Sequence, residues 1–140
     1  MTAENGEGSM DVNYLAVFVA ALSAFALGAI WYAPPVLGRK WQALAGLSDE
    51  QLRRGSPAII FGGAFVLSLV AAFVFAMFVG PNPDLGFALG AGFSAGLFWV
   101  AASLGINYLF EHKPIGLFAV NGGYHTLQFT LYGLVLGLMA

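Results

Sequence analysis

The residues of this chain that are best equipped for chemistry lie together in its last apolar segment. Asn121, His125, Gln128 and Tyr132 follow one another at intervals of four, three and four residues. At about 3.6 residues per turn, this spacing places all four on one narrow face of a helix. Imidazole, amide and phenol groups all form hydrogen bonds. The pattern predicts a polar stripe, for which there are two alternative functions. In the first, His125 binds a ligand or relays protons. In the second, the stripe only joins neighbouring helices.

The elements that position this stripe are predicted to lie in a lipid bilayer. Of the 140 residues, 59% are hydrophobic and 9% are charged, whereas a soluble domain carries about 25% charged residues. Mean hydropathy is +0.81. Four apolar stretches are each long enough to cross a hydrocarbon core of about 30 Å as a helix: residues 12–33, 57–79, 85–110 and 114–139. We predict an all-α membrane protein with four transmembrane helices, which the short links arrange as an antiparallel bundle.

The link between the first two spans, residues 35–54, is predicted to lie on the membrane surface. It carries six charged residues and cannot cross the bilayer. Apolar residues in its first half recur at helical spacing, which predicts a short amphipathic helix at the interface. Ser48 and Gln51 form a capping-box pattern, which predicts the start of a second helical turn.

The basic residues of the chain predict its orientation in the membrane. All five lie in the first and third links: Arg39, Lys40, Arg53, Arg54 and Lys113. Cytoplasmic links carry an excess of Lys and Arg. We therefore expect both termini to lie outside the cytoplasm. The polar leader, residues 1–11, is expected to be mobile.

The third span carries a face that matches the polar stripe of the fourth. Its members follow one another at helical spacing: Gly92, Gly96, Trp99, Ser103 and Asn107. Folding the two spans about His112 as a hairpin brings Trp99 level with His125. We predict that the two faces touch, in a register defined to within a few residues. The polar groups of the stripe would then point into protein, where they can be satisfied.

Small residues in the second span predict close helix packing. They recur at every fourth position: Ala64, Ser68, Ala72, Ala76 and Gly80. Small residues let helix backbones approach closely in a membrane. The run indicates either packing within one chain or a seam between subunits. Four spans enclose little space, so we expect a homo-oligomer.

Composition argues against several classes of chemistry. The chain has no cysteine, so it forms no disulfide and no thiolate metal site. His112 and His125 lie more than three helical turns apart without a carboxylate beside His125, so no metal site is predicted. Five basic residues are too few for a nucleic-acid-binding face. Nucleophile motifs, phosphate-binding loops and paired carboxylates are absent, so we predict no catalytic residue and no cofactor.

Four segments resemble a known family. "NYLAVFVAALSAFALGAIWYAP", "LGRKW", "NYLFEHKP" and "NGGYH" resemble the bacterial membrane proteins catalogued as domain of unknown function 1761. The resemblance covers nearly the whole chain after the leader, and Trp31, Tyr32, Asn121, Tyr124 and His125 are among the residues that carry it. It implies a four-span bacterial inner-membrane protein, and it supplies no activity to transfer.

Two functions follow as alternatives from the sequence. The leading one is binding or passage of a small solute or lipid through a polar and aromatic cluster in the cytoplasmic half of the membrane. The residues expected to line it are Trp31, Tyr32, Trp99, Asn107, Asn121, Tyr124, His125 and Gln128. The alternative is an accessory or scaffold protein whose stripe only joins helices. An intramembrane enzyme is the least favoured reading.

Overall fold

The structure is a computed structural model that describes residues 11–140. Within this range the regular elements are helices and no strand occurs. They are α1 (Tyr14–Trp31), α2 (Arg39–Ala45), α3 (Asp49–Arg53), α4 (Pro57–Val79), α5 (Leu85–Ser94), α6 (Ala102–Phe110) and α7 (Ile115–Leu138). Two π-helical segments, Pro34–Gly38 and Ala95–Ala101, join α1 to α2 and α5 to α6. The prediction of a mobile leader at residues 1–11 lies outside the described residues, except for Asp11.

Three helices are long and apolar enough to cross a membrane. They are Tyr14–Trp31, Pro57–Val79 and Leu85–Phe110, the last of which runs continuously through α5, the second π segment and α6. These helices mark the chain as a membrane protein. Helix α7 has 24 residues, enough to cross by length, but its polar stripe makes it less apolar than the other three.

Local capping explains where several helices begin. The Asn13 side chain accepts a hydrogen bond from the backbone of Ala16 at 3.0 Å and donates one to the carbonyl of Met139 at 3.1 Å, which ties the start of α1 to the end of α7. Asp84 caps α5 in the same way. The capping box that the sequence predicts at Ser48 and Gln51 is confirmed at the start of α3.

Helix α7 packs against all the other long helices and against α2. Its closest neighbour is the α5–α6 helix, along which glycines permit backbone contact. A Cβ atom built on Gly92 would collide with the carbonyl of Phe129, and one built on Gly96 would lie 2.6 Å from the carbonyl oxygen of His125. Residue numbers rise along one helix as they fall along the other, so the two run in opposite directions. The predicted hairpin register is displaced by about three residues.

The second π segment changes which residues of the third long helix face α7. The residues that contact α7 are Gly92, Gly96, Ala101 and Gly105, at intervals of four, five and four. The interval of five falls within Ala95–Ala101, where the π geometry accommodates one extra residue. Both ends of the helix therefore keep contact with α7, although no single α-helical period connects them.

This insertion explains an error in the prediction from sequence. An uninterrupted α-helix would have turned Trp99, Ser103 and Asn107 towards α7. Instead all three are exposed, and Trp99 keeps 68% of its surface accessible. The prediction that this face meets the polar stripe is wrong for these three residues, because the extra residue rotates the helix about its axis within the π segment and after it.

Helix α4 packs on α1 through small residues over only part of its length. Ser68, Ala72 and Ala76 are buried. Ala72 and Ala76 belong to the same core as the alanines of α1, and the Ser68 hydroxyl donates to the carbonyl of Ala21 at 3.5 Å. Ala64, the first member of the predicted run of five, is exposed. Every residue from 57 to 64 is exposed, so the first two turns of α4 diverge from the rest of the chain. Packing within one chain thus accounts for the middle of the run.

Candidate functional site

The polar stripe of α7 forms a chain of hydrogen bonds along its own helix. His125 Nδ1 lies 2.6 Å from Gln128 Oε1, and Gln128 Nε2 donates to Tyr132 Oη at 2.6 Å. Tyr132 continues the chain to α4, where its hydroxyl lies 2.6 Å from Ser68 Oγ and donates to the Ser68 carbonyl at 3.2 Å. The stripe therefore joins α7 to α4 rather than to the third long helix.

The hydrogen bonds of Gln128 determine which nitrogen of His125 carries the proton. Since the amide nitrogen of Gln128 donates to Tyr132, its carbonyl oxygen is the group that faces His125. That oxygen can only accept, so His125 Nδ1 donates and Nε2 of the neutral imidazole becomes an acceptor. Among residues 11–140, Nε2 has no hydrogen-bond partner. No buried side-chain nitrogen or oxygen in this range is unpartnered, so Nε2 keeps some accessible surface on this half-buried residue.

A second group of polar contacts surrounds Asn121 nearer the start of α7. Tyr32 Oη donates to Asn121 Oδ1 at 2.6 Å, and Asn121 Nδ2 donates to Tyr108 Oη at 2.8 Å. The amide of Asn121 thus joins the end of α1, α6 and α7. Both of its polar atoms are engaged by protein groups.

Aromatic side chains extend this group towards α1 and α2. Trp31 Nε1 donates to the carbonyl of Val120 at 3.0 Å, and Tyr124 Oη donates to the carbonyl of Ala24 at 3.1 Å. The Tyr32 ring lies edge-on to Tyr124 and to Trp41, with centroids 5.4 and 5.7 Å apart. Together with Asn121, the residues of this group are Trp31, Tyr32, Trp41, Tyr108 and Tyr124.

The other end of the hydrogen-bond chain is closed by aromatic packing. Tyr132 has no accessible surface. Its ring centroid lies 5.0 Å from that of Phe129 and 6.4 Å from that of Phe75. These rings fill the space between α4 and α7 beyond Gln128, which leaves no room for a solute there.

The structure brings together six of the eight residues that the sequence predicts for the site. They are Trp31, Tyr32, Asn121, Tyr124, His125 and Gln128. Trp99 and Asn107 lie on the exterior. Tyr108 and Ser68 complete the two hydrogen-bonded groups, and sequence reasoning missed them as site residues. The small-residue run predicted Ser68 only as a packing residue, and Tyr108 belongs to none of the helix faces that the spacing predicts. Among residues 11–140, no group of three His, Asp or Glu side chains is placed to hold a metal ion.

Comparison with known proteins identifies one family and no closer relative. No curated protein and no solved structure is detectably similar to the chain. A family model described as "Protein of unknown function (DUF1761)" matches residues 15–137. This match includes the whole candidate site and all but the first residue of α1 and the last residue of α7 among the four long helices. The chain therefore belongs to the DUF1761 family.

Proposed function

We propose that the chain crosses the bacterial inner membrane four times, as an antiparallel bundle with α7 as the fourth span and both termini outside the cytoplasm. Two observations support a crossing by α7 despite its polarity. It contacts the third long helix from Gly137, which lies against Leu85, to Phe118, which lies against Gly105. In addition, the polar atoms of Asn121 and Gln128 form hydrogen bonds with protein groups, which removes most of the free-energy cost of placing them in the hydrocarbon core.

We further propose that His125 binds a small neutral solute, or the polar group of a lipid, in the cytoplasmic half of the membrane. The observation that carries this proposal is the accessible Nε2 acceptor, whose tautomer is held by Gln128. The Tyr124 ring lies beside the imidazole with centroids 5.0 Å apart. An acceptor next to an aromatic wall suits a flat ligand that donates one hydrogen bond.

Binding is better supported than passage. The hydrogen-bond chain leads from His125 to Tyr132, and there the packed rings of Phe75 and Phe129 close the path. A solute that reached His125 would have to leave the way it entered. A homo-oligomer remains our expectation, and the exposed first turns of α4 leave room for another copy of the chain.

A second candidate function is that of an accessory or scaffold protein in which the polar residues only join helices. The geometry of Asn121 favours it, because the carbonyl and amino groups of that side chain are both engaged by tyrosines of other helices. On this reading, His125 serves to orient Gln128 and has no ligand.

Chemical modification of His125 separates these candidates. Diethyl pyrocarbonate acylates an unprotonated imidazole nitrogen, so we expect it to modify His125 in the folded protein at the free Nε2. The His112→Gln variant, reconstituted in nanodiscs without a histidine tag, leaves His125 as the target. Phenol should slow the reaction, whereas anisole, which has the same ring without a donor, should protect roughly fivefold less, as expected for one hydrogen bond of about 1 kcal/mol. The rate is measured by mass spectrometry.

The control is the Gln128→Leu variant, which frees Nδ1 and should increase modification while lowering selectivity for phenol. Equal protection by phenol and anisole, or a His125 that stays unmodified until the protein unfolds, would contradict binding at Nε2 and leave the joining function as the better account.

A further inference from the structure

An apolar groove lies on α7 away from the hydrogen bonds of His125. Its walls are Trp31 at the end of α1 and apolar residues of the third long helix around the second π segment. It has a volume of about 350 Å³, which is within the usual range for ligand sites. The residues that shape it are Trp31, Phe93, Leu97, Phe118, Gly122 and Gly123. Almost nothing polar lines it, so it is a site for hydrocarbon.

The floor of the groove is formed by two adjacent glycines. A Cβ atom built on Gly123 would lie 3.2 Å from the Trp31 ring, and one built on Gly122 would lie 3.2 Å from Ala101. Because they have no side chains, Trp31 and Ala101 pack close to the backbone of α7, which forms the floor of the groove. The groove is shallow enough to open sideways, towards the bilayer.

The dimensions of the groove match one leaflet of a membrane. Its lining on α7 runs from Phe118 to Leu127, a distance of about 14 Å at the helical rise of about 1.5 Å per residue. Half of a hydrocarbon core of about 30 Å is close to this length. Phe118 lies in the first turn of α7, which begins at Ile115. With α7 as the fourth span proposed above, the groove extends from the membrane surface to its middle.

The length and the lining of the groove suit a single hydrocarbon chain. An extended acyl chain can follow a groove of about 14 Å whose walls are almost entirely apolar. A span from a second copy of this protein is the competing occupant.

Basic residues stand at the surface end of the groove. Lys113 is exposed and lies two residues before α7 begins. Arg39 and Lys40 are exposed at the start of α2. The residue before them, Gly38, is buried against the backbone of Tyr32 at the end of α1. Helix α2 in turn packs on the first turn of α7. Two walls of the groove therefore end beside positive charge.

We propose that this groove holds one acyl chain of an anionic phospholipid whose headgroup lies against Lys113, Arg39 and Lys40. The apolar lining binds the chain, and the basic residues select the headgroup. A basic residue near an anionic membrane surface contributes roughly fivefold in affinity. The proposal uses no contact of His125, so it stands or fails independently of the solute site.

Native mass spectrometry of the purified chain tests the proposal. The protein is released from mixed micelles that contain equal amounts of phosphatidylglycerol and phosphatidylcholine. We expect one phosphatidylglycerol to be retained, at least tenfold in preference to phosphatidylcholine. Ala119 is an exposed residue of the lining, so Ala119→Phe should fill the groove and reduce retention at least tenfold. Ala58→Phe places the same ring on an exposed turn of α4 and should leave retention unchanged.

The headgroup contribution is tested by a matched pair of charge variants. The triple variant Arg39→Gln, Lys40→Gln, Lys113→Gln should lose the preference for phosphatidylglycerol but still retain lipid. The double variant Arg53→Gln, Arg54→Gln, at the end of α3, should keep the preference. Equal retention of both lipids by the unaltered chain would overturn the proposal. The proposal would also be overturned if Ala119→Phe left lipid retention intact, or if the unaltered chain formed a dimer that Ala119→Phe dissociated.

Fluorescence gives a second measurement, in a variant that leaves the lining of the groove unaltered. In the variant Trp41→Phe, Trp99→Phe the remaining tryptophan is Trp31, which lines the groove. Phosphatidylglycerol brominated on its acyl chains should quench Trp31 more strongly than brominated phosphatidylcholine at the same mole fraction. Equal quenching by the two lipids would again overturn the proposal.

Discussion

Gly92→Ala is expected to lower the free energy of unfolding by about 2 kcal/mol, within the range of about 1–3 kcal/mol for overpacking. A Cβ atom at this position collides with the backbone carbonyl of Phe129, which cannot move aside as a flexible side chain would. The two helices must therefore separate. Gly133→Ala should have a similar effect from the other side of the interface, because its Cβ atom collides with the carbonyl of Ala88.

Gly90→Ala is the matched control for this prediction. Gly90 lies on the same helix, and a Cβ atom there meets nothing within 4 Å. Alanine should stabilise that position by up to about 1 kcal/mol through its helix propensity. Unfolding by dodecyl sulfate in mixed micelles, followed by circular dichroism, measures all three variants. Because Gly92 and Gly133 share one interface, the double variant should cost less than the sum. Equal stability of Gly92→Ala and Gly90→Ala would show that the helices do not approach this closely.

Tyr132→Ala is expected to cost about 3–5 kcal/mol, as for other buried aromatic residues replaced by alanine. Tyr132 is the largest side chain without accessible surface among the described residues. Its ring packs on Phe75 and Phe129, and its hydroxyl joins Ser68 of α4 to Gln128 of α7. The loss combines a cavity with broken hydrogen bonds between helices.

Tyr132→Phe separates these two contributions. It keeps the ring and removes the hydroxyl, which leaves the buried amide of Gln128 without its acceptor, at a cost of about 1–3 kcal/mol. A double-mutant cycle with Ser68→Ala should give a coupling of about 0.6 kcal/mol, the average for interhelical hydrogen bonds in membranes. Tyr14→Phe, at a residue that is 70% exposed, should be nearly neutral. A neutral Tyr132→Phe would mean that the hydroxyl does not join α4 to α7.

Local signals in the sequence predicted much of this architecture. The stripe of Asn121, His125 and Gln128 lies on one face because α7 is an uninterrupted α-helix, for which the period of about 3.6 residues holds. The capping box at Ser48 and Gln51 depends only on residues three apart, so it could be read directly. Family membership followed from short motifs of the same local kind.

The third long helix was predicted less well, because a π insertion has no simple sequence signature. One extra residue within Ala95–Ala101 rotates everything after it, and so Tyr108, not Asn107, meets Asn121. A signal was present in the glycines. Gly105 lies nine residues after Gly96, which on an uninterrupted α-helix is about half a turn away, yet both face α7.

The exposure of α4 could not be predicted from its sequence for a different reason. Lipid is as apolar as a protein core, so hydropathy does not distinguish a helix face that meets lipid from one that meets another helix. The spacing of small residues extended to Ala64, but the contact with α1 ends near Phe65, whose ring packs on Phe18 and Phe25. Only tertiary structure shows where the two helices part.

Most of the proposed function depends on α7 crossing the membrane as a fourth span. The chain has no cysteine, so single cysteines can be placed on each side and labelled in intact cells with a membrane-impermeant maleimide. Asn82→Cys and Ala140→Cys should both react from outside, whereas Ser48→Cys and His112→Cys should react only after the membrane is permeabilised. If Ala140→Cys were instead protected together with Ser48→Cys, three crossings would remain and the polar helix would not be one of them.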